Sequence, residues 1–122
     1  MILVDTSVWI GHLRIGEPAL AATLDRMGVL GHVFVRGELA CGNLQRRREI
    51  LSLLDELPQA PVATDHEVMD LIERRRLMGR GIGYVDAHLL ASALLAGASL
   101  WTLDARLANV AREIGVGFRP GD

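Results

Sequence analysis

Short apolar runs alternate with amphipathic stretches from one end of the chain to the other, the pattern of βαβ units around a parallel sheet. Ile2-Leu3-Val4-Asp5 predicts a short buried strand. Glu17 to Met27 predicts a helix, with Pro18 in its first turn, Leu20, Leu24 and Met27 along one face, and Gly28 as the stop. Val29 to His32 reads as a second strand, and Phe34 to Cys41 as a helical segment ending near Gly42. A helix is expected from Asn43 to Leu57, with Ile50, Leu54 and Leu57 on one face and a break at Pro58. Pro61-Val62-Ala63 would be a third strand. Thr64 and Glu67 form a capping box that opens a helix running through Met78 to Gly79. Tyr84 to Ala96 is the most apolar helix, stopped by Gly97. Ser99 to Leu103, Ala105 to Ile114 and Val116 to Phe118 complete the pattern as strand, helix and fifth strand.

The 122 residues form one domain, residues 1–122, without linker, repeat or low-complexity tract. Half the residues are hydrophobic and mean hydropathy is +0.26, which excludes disorder. Cys41 is the only cysteine, so neither an intramolecular disulfide nor a cysteine-based zinc site can form, and a small buried role is the simplest for it. All 13 basic residues are arginine. Without lysine, a Walker A loop and Schiff-base chemistry are both excluded. Met1 leads directly into Ile2-Leu3-Val4 with no basic leader region. The longest weakly polar run, Leu89–Trp101, is well short of the ~20 residues of a membrane span. A cytoplasmic protein without a membrane partner is expected. The net charge of −2 argues against an electrostatic coat for nucleic acid while leaving local basic patches open.

Most acidic residues stand beside arginine on helix faces, but four do not. Asp5 and Asp104 follow apolar runs at the ends of the first and fourth predicted strands. Glu38 lies within Val33-Phe34-Val35…Leu39-Ala40-Cys41, and Asp86 opens the most apolar helix. A carboxylate in apolar surroundings is costly unless paired, protonated or bound to a cation. Each also has a purely structural reading. Asp5 and Asp104 could cap the helices that follow, and Asp86 in a first turn is favoured by the macrodipole. Glu38, mid-helix, is harder to dismiss. Taken together, carboxylates at the C-terminal ends of strands fall on the edge where open α/β sheets bind ligands. With no lysine to neutralise them, a hard divalent cation is the natural partner.

Val4-Asp5-Thr6-Ser7-Val8-Trp9-Ile10, Gly37-Glu38-Leu39, Tyr84-Val85-Asp86-Ala87-His88-Leu89-Leu90-Ala91 and Trp101-Thr102-Leu103-Asp104 together resemble a PIN domain. Within that family the chain is most similar to the VapC-type toxin ribonucleases of type II toxin–antitoxin pairs. The resemblance spans essentially the whole chain. It implies a three-layer α/β/α fold around a parallel sheet of strand order 3-2-1-4-5, with Asp5 and Asp104 at the topological switch point. It implies an endoribonuclease whose catalytic and metal-holding residues are Asp5, Glu38, Asp86 and Asp104, with Mg²⁺ or Mn²⁺ as cofactor. Thr6, Ser7 and Thr102 take the hydroxyl positions that support the acidic cluster. The partners implied are an RNA substrate, a VapB-type antitoxin and a second copy of the chain. An amphipathic antitoxin segment would lie between the helices Glu17–Met27 and Asn43–Leu57.

Among the arginines, Arg80 in Gly79-Arg80-Gly81-Ile82-Gly83, just before Asp86, is expected to reach a phosphate. Arg46-Arg47-Arg48 and Arg74-Arg75-Arg76 read as solvated helix ends. No pair among His12, His32, His66 and His88 suggests metal-free acid–base cleavage; surface or half-buried positions suit them better. Trp9 and Trp101 are expected in the core. Two other functions compete. A catalytically inactive PIN-fold module binding RNA or protein would normally have lost one of the acids. A phosphatase or receiver domain needs the lysine or the Asp-x-Asp that this chain lacks.

Overall fold

The computed structural model describes residues 1–121 and has the element order β1 (Ile2–Val4), α1 (Thr6–Ile15), α2 (Pro18–Asp25), β2 (Val29–Leu30), α3 (Val33–Ala40), α4 (Arg47–Glu56), α5 (Asp65–Arg75), α6 (Tyr84–Ala96), β3 (Ser99–Trp101) and α7 (Ala105–Glu113). The three strands form a parallel sheet of order β2-β1-β3. Ile2 and Leu3 pair with Val29 and Leu30 on one side, and Ile2, Leu3 and Val4 with Ser99, Leu100 and Trp101 on the other. Successive strand residues point to opposite faces, yet Leu3 and Val4, Val29 and Leu30, and Leu100 and Trp101 are all buried. Helices therefore cover the sheet on both faces, which is why its strands are continuously apolar rather than alternating.

The expected five-stranded sheet is corrected to three strands. At the two outer positions only single parallel bridges occur, Gly31 with Gln59 and Leu100 with Gly117. The first of these falls at Gln59 rather than within Pro61–Ala63. Prolines at 58 and 61 deny the ladder two donors, so the segment bonds to Gly31 through Pro58 O and Ala60 N and then leaves the sheet. At the other edge the Leu100 N–H donates to Val116 O and the Phe118 N–H to Leu100 O, but Gly115, Gly117 and Pro120 prevent a longer strand.

One helix had no span in the pattern and was expected only as what Asp5 could cap. In α1, Gly11 and the β-branched Thr6, Val8, Ile10 and Ile15 weaken helix propensity. Its buried Val8 and Trp9 and its packing against α3 decide the matter. The capping box of α5 forms in both directions, Thr64 Oγ1 accepting from Glu67 N and Glu67 Oε1 from Thr64 N. Helix α6 is buried along consecutive residues from Ala87 to Ala93, as a helix apolar on all sides must be. Cys41 is exposed, not buried. Trp9 and Trp101 are core residues. No helix is long and apolar enough to cross a membrane among the described residues.

His32 joins two helices and is completely enclosed, only 2% exposed. Its Nδ1 accepts the Phe34 N–H at the start of α3, so its proton sits on Nε2, 2.9 Å from Ser92 Oγ on α6. Burial, reinforced by the nearby His88, holds its pKa down at about 4 instead of 6.5. The unfolded chain takes up this proton below pH 6.5, whereas the folded chain resists it until about pH 4. The stabilising contribution is therefore whole above pH 6.5 and is lost as pH falls towards 4, by up to ~1.4 kcal/mol per pH unit. Urea unfolding between pH 6.5 and 5 should show a smaller loss of stability per pH unit in His32→Asn, which keeps an N-cap acceptor, than in the wild type. An unchanged slope would remove His32 as the titrating group.

Candidate active site

The C-terminal ends of β1 and β3 lie side by side, with the Asp5 N–H donating to Trp101 O at 2.9 Å. Asp5 occupies the N-cap position of α1, but its side chain makes no capping bond. Its Oδ2 accepts instead from Ser7 Oγ at 2.8 Å and Thr102 Oγ1 at 2.7 Å. These hydroxyls act in both directions. Ser7 Oγ accepts the Leu103 N–H and Thr102 Oγ1 the Asp104 N–H, so the strand ends are laced together around Asp5.

Asp104 does cap a helix: its Oδ1 accepts from the Arg106 and Leu107 N–H groups at the start of α7. Asp86, in the first turn of α6, accepts the Gly83 N–H on Oδ2 at 3.0 Å. Glu38 reaches out of α3, where Thr6 Oγ1 donates to its Oε1 at 2.6 Å. In each of the four acids one oxygen is held in this way, and the other has no hydrogen-bond partner among the described residues. None of the four is in a salt bridge with any described residue.

The acids share one electrostatic environment. The pKa of Asp86 is raised first by burial and then by the negative charges of Asp5, Asp104 and Glu38, against the opposing effect of the Gly83 N–H. Only Asp5 is buried; Asp86 is half-buried, and Glu38 and Asp104 are exposed, so the apolar surroundings expected for all four hold chiefly for Asp5. As placed, no three described His, Cys, Asp or Glu side chains form a ready metal-ligand set. The donor chemistry nevertheless suits a hard cation: oxygen only, one free oxygen per carboxylate, and no salt bridge to a described basic side chain.

Arg80 is committed elsewhere, its Nη1 and Nη2 both donating to the Glu113 carboxylate at 2.9 and 2.8 Å. Arg47 closes the end of α3 by donating to Ala40 O and Gly42 O, a structural role that differs from a solvated helix end. His32 and His88 are buried rather than on the surface. His88 packs edge-on between Phe34 and Tyr84, and its Nδ1 has no partner among the described residues. Two residues near the acids went unremarked in the sequence. Tyr84, exposed, donates its hydroxyl to Asp65 Oδ1, and Arg106 follows Asp104 in the first turn of α7. Only the second left a signal, a cation where the helix dipole disfavours one.

A cleft leads away from the acids. One cavity of about 750 Å³ runs between α1 and the α3–α4 connection, from Glu38 past Arg14 and Leu44 to Ile50. A second, of about 450 Å³, lies among α1, α2 and α4 and is lined by Trp9, Leu24, Met27, Leu53 and Leu57. His12, Leu13 and Ile50 border both, so the two cavities adjoin.

The PIN domain family model matches residues 2–113. The chain belongs to the PIN domain family. Over 117 residues this PIN domain is 51% identical to ribonuclease VapC32 of Mycobacterium tuberculosis strain CDC 1551/Oshkosh, covering 95% of this chain and 94% of that protein. The match to ribonuclease VapC32 of strain ATCC 25618/H37Rv has the same identity and coverage. The likeness to ribonuclease VapC32 thus runs over nearly the whole chain.

The two oxygens of Asp104 divide its roles. Asp104→Ala removes the α7 cap and should cost ~0.5–2 kcal/mol of stability. Asp104→Ser restores a capping oxygen without the carboxylate and should recover most of that. Equal melting temperatures for the two variants would deny the capping role.

Proposed function

We propose that this PIN domain is the toxin of a type II toxin–antitoxin pair, an endoribonuclease that hydrolyses RNA phosphodiester bonds with Mg²⁺ or Mn²⁺ as cofactor. The observation that carries the reading is the set of four acids in one patch, each with an unbonded oxygen and none with a basic partner. Such a set would repel RNA by itself. The name ribonuclease borne by the relatives points to the same chemistry. Asp5, Glu38, Asp86 and Asp104 would hold the metal. Once bound, it would lower the pKa of water and offset the charge of the phosphate.

The chain's own residues prepare that site. Ser7 and Thr102 fix Asp5 at the strand ends, so its free oxygen has a defined direction. Thr6 draws Glu38 of α3 towards the start of α1. The Gly83 N–H orients Asp86 at the start of α6. Water would attack phosphorus in line with the departing 3′-oxygen, leaving a 5′-phosphate on the downstream fragment.

The cleft supports an antitoxin as partner. Met27 is 80% exposed and Leu53 52%, on the rims of an otherwise apolar groove between α2 and α4. An amphipathic antitoxin segment seated there would bury both. Because the adjoining cavity is lined by Glu38, a basic side chain from that segment could enter the acidic cluster in place of the metal. A homodimer belongs to the same proposal. Exposed Leu94 and Leu95, at the far end of α6 from Asp86, offer apolar surface that leaves the site open.

Purified protein should cleave single-stranded RNA with Mg²⁺ or Mn²⁺ and stop in EDTA, and Asp5→Ala and Asp86→Ala should lose cleavage by at least a hundredfold while remaining folded. Cleavage that persists in chelator, or 2′,3′-cyclic phosphate ends, would overturn the mechanism. Co-expression with the reading frame immediately upstream should yield a co-purifying small protein that suppresses cleavage. A complex that still cuts at full rate would count against the toxin reading.

A further inference from the structure

The loop before α6 and the start of α7 meet through a cation that the roles described above leave unassigned. Gly81 adopts φ +80°, and a Cβ on it would stand 2.5 Å from Cδ, 2.9 Å from Nη1 and 3.1 Å from Nε of Arg106. The Arg106 side chain is therefore laid across bare backbone, in space that any larger residue at 81 would take. Gly81 lies two residues before Gly83, whose N–H holds Asp86, and the Arg106 N–H itself donates to Asp104. The Arg106 side chain, next but one after Asp104, thus packs on the loop that leads to Gly83 and Asp86.

Arg106 is exposed. Among the described residues Arg106 makes no ion pair and no side-chain hydrogen bond. Its charge stands in the first turn of a helix, where the macrodipole opposes it. Arg80, on the same loop, has both terminal nitrogens on Glu113 near the far end of α7. Helix α7 therefore grips the loop twice, through Glu113 on Arg80 and through Arg106 over Gly81. One arginine is consumed by that grip, and the other keeps its donors.

We propose that Arg106, not Arg80, is the phosphate-binding residue of this site, receiving an RNA phosphate next to the scissile bond, and that Arg80 is a clamp on the loop. The assignment rests on the RNA-cleavage reading above. RNA approaching four carboxylates gains from a fixed positive charge at their edge, and the planar guanidinium fork suits phosphate oxygens. Glycine at 81 leaves the Arg106 side chain its place on that loop.

The test is steady-state cleavage of a single-stranded RNA with Mn²⁺ across a range of KCl concentrations, together with Mn²⁺ binding followed by electron paramagnetic resonance. Arg106→Gln should raise KM about tenfold or more with kcat changed little, the loss expected for a charge-assisted contact. It should also reduce the slope of log kcat/KM against log salt by about 0.7, one phosphate contact on a single strand. Arg106→Lys should restore the salt slope but only part of KM. Arg80→Gln should lower the melting temperature and leave the salt slope unchanged. A wild type that cuts while Arg106→Gln keeps the same KM and slope overturns the assignment alone. So does an Arg106→Gln that alters Mn²⁺ affinity and kcat but not KM, since Arg106 would then only balance the carboxylates. A wild type that cuts no RNA overturns the functional reading, and this assignment with it.

Discussion

Four negative charges drawn into one patch without a basic partner are a standing cost to the fold. Like charges raise one another's pKa and disfavour the compact state, and here Asp86 feels all three of its neighbours as well as its own burial. The protein does not relieve this with arginine, although it has 13. It relieves it locally, by giving each carboxylate one neutral donor set: two hydroxyls on Asp5, a backbone N–H on Asp86, two on Asp104 and a hydroxyl on Glu38. Neutral donors hold a carboxylate in position without cancelling its charge. That leaves the other oxygen of each without a hydrogen-bond partner among the described residues.

Much of the surrounding architecture serves this arrangement. A parallel sheet brings the ends of β1 and β3 to the same edge, and the hydroxyls of Ser7 and Thr102 convert that proximity into a bonded junction. The starts of α1, α6 and α7 converge there, so helix N-termini as well as side chains face the acids. Glu38 alone comes from a helix interior, and α3 is tied back to α6 by the buried His32–Ser92 bond. A cut sheet of three strands suffices because the site needs only the central pair.

The cleft beside α1 links stability to partnership. Leu53 and Met27 are exposed at one cavity, and the cavity adjoining it is lined by Glu38. Apolar surface left uncovered in a concave site is the kind that an amphipathic segment buries.

The sequence by itself determined what local physics can specify. Helix α6 ends at a glycine in the left-handed conformation, α5 begins at its capping box, and β1, β2 and β3 stand where buried runs of apolar residues demanded them. Asp5, Glu38, Asp86 and Asp104 stood out because a carboxylate in an apolar stretch is costly, and the structure places the other three where Asp86 feels their charge. Tertiary structure decided the rest. It made α1 a helix against its β-branched composition, and it reduced the edge strands to single bridges where proline and glycine removed donors or order. It also separated the arginines, because an ion pair depends on which residues meet in space: Arg80 met Glu113, 33 positions away, whereas Arg106 met a bare glycine. Periodicity and caps act within a few residues of one another and can be read along the chain. Pairing between charges far apart in sequence cannot, since it exists only once the sheet has brought the helix ends together.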